Sequence, residues 1–244
     1  PRIRGVSKAS FLLRVLDRET HNNRAFRAGS ELCPGKRASE LPTGEFARYG
    51  HLEMLRIRLA RLKARRESAS ESILDEDDDE DKCSSNDADW AAEFGYLEII
   101  RLLREHGIHC TAWGADEAAG EGHMHVVHDL RAHGIHCTSR GADYAAAGGH
   151  VDVVCDLREH VIHCTYNGAD RAAGRGQLEM VRHLRAHGIY CGSRGADFAA
   201  QNGHLEVIHD LRAHRTSCSS NGADFAAERG HLHVMRDLRA HGIH

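Results

Sequence analysis

Apolar and polar positions between residues 83 and 244 recur with a step of 27 residues. A pair of alanines recurs in each cycle, as at Ala199-Ala200 and Ala226-Ala227. A glycine follows, and then an apolar stripe such as Leu232, Val234, Met235 and Leu238 at helical spacing. Cys83, Cys110, Cys137, Cys164, Cys191 and Cys218 stand at the first position of six copies, with no insertion between them. A fixed period in the range of about 20–50 residues marks a solenoid, in which each unit buries its apolar face only against its neighbours.

The last copy, residues 218–244, predicts the local structure. Ser219 or Ser220 caps a short first helix carrying Ala223, Phe225, Ala226 and Ala227, and the small alanines let another helix approach closely. Gly230 stops that helix in the left-handed conformation. The second helix runs from about His231 to His241, and His241-Gly242-Ile243 closes it as a Schellman motif, with Ile243 folding back on Leu238. Two copies depart at this ending, with His160-Val161-Ile162 and His214-Arg215-Thr216. Valine and arginine disfavour the left-handed region, so those two ends are expected to be looser or differently closed.

The stretch AA-x-x-GHLEVV-x-x-L, closest in Ala199–Ile208, resembles the middle of an ankyrin repeat. The resemblance covers 83–244 and extends to a degenerate copy at about 43–66, where Ala47-Arg48-Tyr49-Gly50-His51-Leu52-Glu53-Met54-Leu55 aligns with it. The usual T-P-L-H-x-A start is replaced by x-G-A-D-x-A, as in Asn221–Ala226. The unit is also shorter than the ankyrin repeat of about 33 residues. The shortfall lies where ankyrin proteins carry a projecting β-hairpin. The sequence is similar to short-loop ankyrin arrays expanded in large DNA viruses of protists. The resemblance implies an all-α, ankyrin-like helix–turn–helix solenoid lacking full β-hairpin fingers, with a partner protein bound on the concave side lined by first helices.

Four segments are expected: 1–36 as a cap or degenerate repeat, 37–66 as a degenerate repeat with a basic helix, 67–82 as an acidic flexible linker, and 83–244 as six repeats. Phe11, Leu12, Val15 and Leu16 suggest one amphipathic helix in the first. In the second, Leu52, Leu55, Leu59 and Leu62 form the buried stripe, while Arg56, Arg58, Arg61, Lys63, Arg65 and Arg66 make the other face basic. That face reads either as a patch for an anionic partner or as a solvated face. Every residue from Asp75 to Asp81 is acidic, a run that repels itself. The start, Pro-Arg-Ile-Arg, suggests a processed or cut piece, and the apolar stripe of the last copy suggests an array that continues.

A net charge of −4 gives no global pull toward nucleic acid or membrane, and no apolar run approaches the length of a membrane span. Equivalent positions of stacked helical repeats lie about 8–10 Å apart, beyond the reach of a disulfide. The eight cysteines are therefore read as thiols, in a reducing cytoplasmic or nuclear setting. His-x-x-His-Cys recurs at His106, His109, Cys110, at His133, His136, Cys137, and at His160, His163, Cys164. These ligand types suit zinc, and a metal-binding array is the alternative function. However, Tyr190 and Ser217 remove ligands from later copies, and helix-capping histidines beside a small buried cysteine explain the repetition equally well. No metal or other cofactor is expected.

Asp89, Asp116, Asp143, Asp170, Asp197 and Asp224 form a ladder read as structural, since carboxylates at repeat spacing are too far apart for a catalytic dyad. No enzyme activity is expected. What varies between copies is more informative. Trp90, Phe94, Trp113, Glu117, Arg140, Tyr144, Tyr166, Arg171, Arg194 and Phe198 occupy non-repeating positions. A strip mixing aromatics and arginine has the make-up of a protein-binding hot spot, although the aromatics also suit packing between repeats. The expected role is a monomeric scaffold for another protein, with no membrane and no specific nucleic acid as partner.

Overall fold

A computed structural model describes residues 42–68 and 83–243 of the chain. The helix expected within 1–36 and the acidic run Asp75–Asp81 lie outside the described residues. Among the described residues every regular element is a helix, and no strand occurs. The chain divides into two compact units, the boundary in sequence falling between Cys110 and Thr111.

In the first unit, α1 (Thr43–Arg48) and α2 (Leu52–Ser68) form the degenerate hairpin, and α3 (Ser85–Glu93) and α4 (Leu97–Glu105) form the first regular one. Helix α1 packs on α3, and α2 on α4. The buried stripe of α2 is Met54, Leu55 and Leu59; Leu52 and Leu62 are only half-buried, so the stripe is narrower than the leucine spacing suggests.

The second unit holds five hairpins. Their first helices are α5 (Ala112–Gly120), α7 (Ser139–Gly148), α9 (Tyr166–Gly174), α11 (Ser193–Gln201) and α13 (Ser220–Glu228). Their second helices are α6 (Met124–Ala132), α8 (Val151–Glu159), α10 (Leu178–Ala186), α12 (Leu205–Ala213) and α14 (Leu232–Ala240). Each first helix packs on its own second helix and on the first helices of adjacent hairpins. Alanine permits this: Ala118, Ala119, Ala145, Ala146, Ala172, Ala173, Ala199 and Ala200 are fully buried. The second helices bury a larger stripe, such as Val207, Ile208 and Leu211, each removing apolar surface worth about 2 kcal/mol. This is an array of helical hairpins with short links in place of strands.

Within a hairpin the turn closes through a left-handed glycine. In the fifth repeat Gly203 (φ +80) lets His204 N–H donate to the Ala199 carbonyl at 2.9 Å. The second helices end similarly, and here one expectation is corrected. Val161 (φ 65) and Arg215 (φ 66) adopt the left-handed conformation despite their side chains. Ile162 N–H reaches the Leu157 carbonyl at 2.9 Å, and Thr216 N–H reaches Leu211 at 3.0 Å, as in the glycine copies. The two closing bonds and the packed repeats on either side fix the backbone path, so these ends are strained rather than loose.

Candidate functional site

The aspartate ladder sets the register of the second unit. Thr138 N–H and O–H donate to the two carboxylate oxygens of Asp116, each at 2.7 Å. Thr165 does the same for Asp143, and Ser219 for Asp197, again at 2.7 Å throughout. Each carboxylate thus satisfies the N-cap residue of the next first helix. The glycine of the G-A-D triplet makes room for it: a Cβ at Gly168 would stand 2.5 Å from Asp143 Oδ1. The threonine hydroxyls also accept from their own helices, as Thr165 Oγ1 does from Asn167 N–H at 3.1 Å.

The repeating cysteines belong to the same scaffold. Cys137 Sγ donates to the Ala115 carbonyl at 3.2 Å, and Cys110, Cys164, Cys191 and Cys218 make the equivalent bond to Ala88, Ala142, Ala169 and Ala196. Alanine could fill the volume but could not make this bond. Burial, and after it the nearby ladder carboxylate, pushes the thiols of Cys137, Cys164 and Cys191 up to about 12. The helix-end histidines turn elsewhere: Nδ1 of His133 lies 2.7 Å from the Asp129 carbonyl, and that of His160 lies 2.8 Å from Asp156. The His-x-x-His-Cys sets are therefore not assembled as ligand sets. Among the described residues no group of three His, Cys, Asp or Glu side chains is placed to hold a metal ion.

A second ladder joins the second helices. Arg131 pairs with Asp156 at 2.7 Å, Arg185 with Asp210 at 2.6 Å, and Arg212 with Asp237. His128, Arg182 and His209 add a further contact to the same three carboxylates at 2.9–3.0 Å. Hydrogen bonds from Arg131 and Arg212 hold Asp156 and Asp237 below the usual carboxylate range. At Asp210, burial pushes upward, but the bonds from Arg185 and Arg182 outweigh it. This ladder breaks once, where His183 replaces the aspartate and Cys155 Sγ lies 3.6 Å from its Nε2.

Along the first ladder, the first helices form an open groove of about 410 Å³ across α7, α9 and α11. Ser139, Arg140, Asp143 and Tyr144 line one side; Thr165, Asn167, Asp170 and Arg171 the middle; Arg194 and Phe198 the far side. The Arg171 guanidinium lies 5.2 Å from the Tyr144 ring centre, and that of Arg194 lies 5.2 Å from Phe198. None of Arg140, Arg171 and Arg194 forms an ion pair among the described residues.

Five of the ten expected binding residues, Arg140, Tyr144, Arg171, Arg194 and Phe198, therefore meet in one groove. The other five stand elsewhere. Trp113 is half-buried at the start of α5, with its N–H on Thr111 Oγ1 at 3.2 Å, and Glu117 is half-buried one turn later. Tyr166 is two-thirds exposed but outside the groove lining. In the first unit the Trp90 ring lies 4.6 Å from the Arg48 guanidinium, and Phe94 stacks on Tyr96. The basic face of α2 is in part engaged: Arg56 pairs with Glu53 at 3.5 Å, and Arg58 and Arg61 also have partners. Ser139, Asp143, Thr165, Asn167 and Asp170 also line the groove and are not among those ten. The periodic Asp170 reads in the sequence as scaffold, and only the loss of its partner's hydroxyl, Gly192 in place of threonine or serine, marks it there.

No family model matches the chain, and no curated protein does. Among solved structures, the chain is similar to the pentatricopeptide repeat protein PPR10 from maize, at 12% identity and a TM-score of 0.42, over 97% of this chain and 40% of that one. It is also similar to a PPR10 complex with an 18-nt psaJ RNA element, at 12% identity and a TM-score of 0.39, over 98% of this chain and 36% of that one. A likeness of this degree says nothing about what this chain binds. No helix among the described residues is long and apolar enough to cross a membrane.

Proposed function

We propose that the chain is a protein-binding scaffold of short-loop, ankyrin-like repeats that holds its partner on the first-helix face of the second unit. The supporting observation is the groove across α7, α9 and α11, where five non-repeating side chains converge on a frame made by the repeating ones. Three guanidinium groups without ion pairs, two of them held over aromatic rings, present fixed positive charge to an incoming segment. The role is binding rather than catalysis, because Asp116, Asp143 and Asp197 each hold both oxygens as acceptors for the next repeat. Thiols that serve as hydrogen-bond donors suit a reducing compartment, cytoplasmic or nuclear.

The test is an affinity capture with mass spectrometry, run on the wild type and on an Arg140→Ala/Arg171→Ala variant. Both side chains are exposed, so circular dichroism should be unchanged while the captured partner is lost. Equal recovery by both proteins would remove the groove from the binding surface.

A further inference from the structure

The aspartate ladder of the second unit has one defective rung. Thr138, Thr165 and Ser219 each donate both N–H and O–H to the preceding repeat's aspartate. At the fifth repeat Gly192 supplies only its N–H, to Asp170 Oδ1 at 2.7 Å. No hydroxyl from position 192 reaches the carboxylate, although Asp170 is only 5% exposed.

Neither conformation nor crowding demands glycine there. Gly192 has φ −89 and ψ −179, extended backbone that any residue adopts. A Cβ at this position would meet its nearest neighbours at 3.8–4.0 Å, which is ordinary contact. Thus the hydroxyl present in the sister repeats would fit, and its absence leaves this nearly buried carboxylate without the hydroxyl donor that its sisters have. That carboxylate lies in the groove with Arg140, Arg171 and Arg194. Burial raises the Asp170 pKa, against the Gly192 N–H, the Arg194 charge and the Gly195 N–H, as expected for a carboxylate without a hydroxyl donor.

We propose that Asp170 is the specificity group of the groove, and that the occupant is an acidic peptide segment whose serine or threonine hydroxyl replaces the one missing at Gly192. Its carboxylates meet the three guanidinium groups around it. The inference rests on the proposed protein-binding role and adds the chemistry of the bound segment. Peptide is favoured over single-stranded nucleic acid because Tyr144 and Phe198 already carry guanidinium groups over their rings and are not open platforms for bases.

The test uses Gly192→Thr, which rebuilds the rung seen at Thr165 and is expected to fold with a higher unfolding midpoint. The probes are a fluorescein-labelled peptide of alternating serine and glutamate, its alanine–glutamate analogue, and labelled oligouridylate. The wild type should bind the serine peptide about fivefold more tightly than the alanine peptide, the size of one hydrogen bond. Gly192→Thr should abolish that preference, and Arg140→Ala/Arg171→Ala should weaken both peptides. A serine preference that survives Gly192→Thr would overturn the role of Asp170 while leaving the groove as a binding site. Failure of both peptides to bind, or binding indifferent to the arginine substitutions, would overturn both readings. Tighter binding of oligouridylate than of either peptide would replace the peptide by RNA.

Discussion

Exchanging the residues at positions 161 and 188 separates backbone strain from packing, because the two positions are equivalent in successive repeats. Val161 has φ 65 and is 79% exposed, so its side chain contributes little burial. Gly188 has φ +81, and a Cβ there would meet nothing within 4 Å. Both close their helices with the same bonds, Ile162 N–H to Leu157 at 2.9 Å and Ile189 N–H to Leu184 at 3.0 Å. Holding an L-residue in the left-handed region costs about 1–2 kcal/mol. Glycine offsets part of the gain by losing about 0.5–1 kcal/mol more conformational freedom on folding. Val161→Gly should therefore stabilise by about 1 kcal/mol, and Gly188→Val should destabilise by a similar amount. Urea unfolding followed by circular dichroism would show the two midpoints moving in opposite directions at an unchanged slope. A shift of the same sign in both variants, or a lower midpoint for Val161→Gly, would refute the assignment of strain.

Thr165→Val keeps the shape but removes the hydroxyl that donates to Asp143 Oδ2 and accepts from Asn167 N–H; it should cost about 2 kcal/mol, read from the same denaturation curves. Acid should weaken the second ladder. Asp156, Asp210 and Asp237 are held below their ordinary value, so their contribution is present above pH about 4 and is lost as pH falls through the folded-state values, an effect that Arg185→Ala should blunt in an unfolding series from pH 7 to 2. Asp170 has the opposite sign: its raised value costs stability above that value, and the cost is relieved as pH falls. The stabilising effect of Gly192→Thr should accordingly be largest near pH 7 and shrink as pH falls through the raised value of Asp170, and a pH-independent effect would show that the added hydroxyl does not act through the carboxylate.

The spacing of Cys110, Cys137 and Cys164, of the alanine pairs and of the glycines was sufficient to determine a 27-residue helical hairpin and its stacking, because one period repeated without insertion admits one local solution per copy. It located the first and second helices to within a residue or two, and it marked the variable positions where Arg140, Tyr144, Arg171, Arg194 and Phe198 stand. It did not determine which of the ten variable candidates converge, since that depends on which side chains of three consecutive helices point into the same space. Nor could it tell why cysteine recurs where alanine would fit, because the Ala115 carbonyl that Cys137 reaches lies 22 residues away. The left-handed closure at Val161 and Arg215 also escaped local reasoning: residue preference argued against it, and the closing hydrogen bonds between packed repeats imposed it. Most of all, Gly192 reads in the sequence as one more small residue at a helix start. Only the tertiary structure places it against Asp170, a residue lining the groove, which it leaves without the hydroxyl donor of the sister repeats.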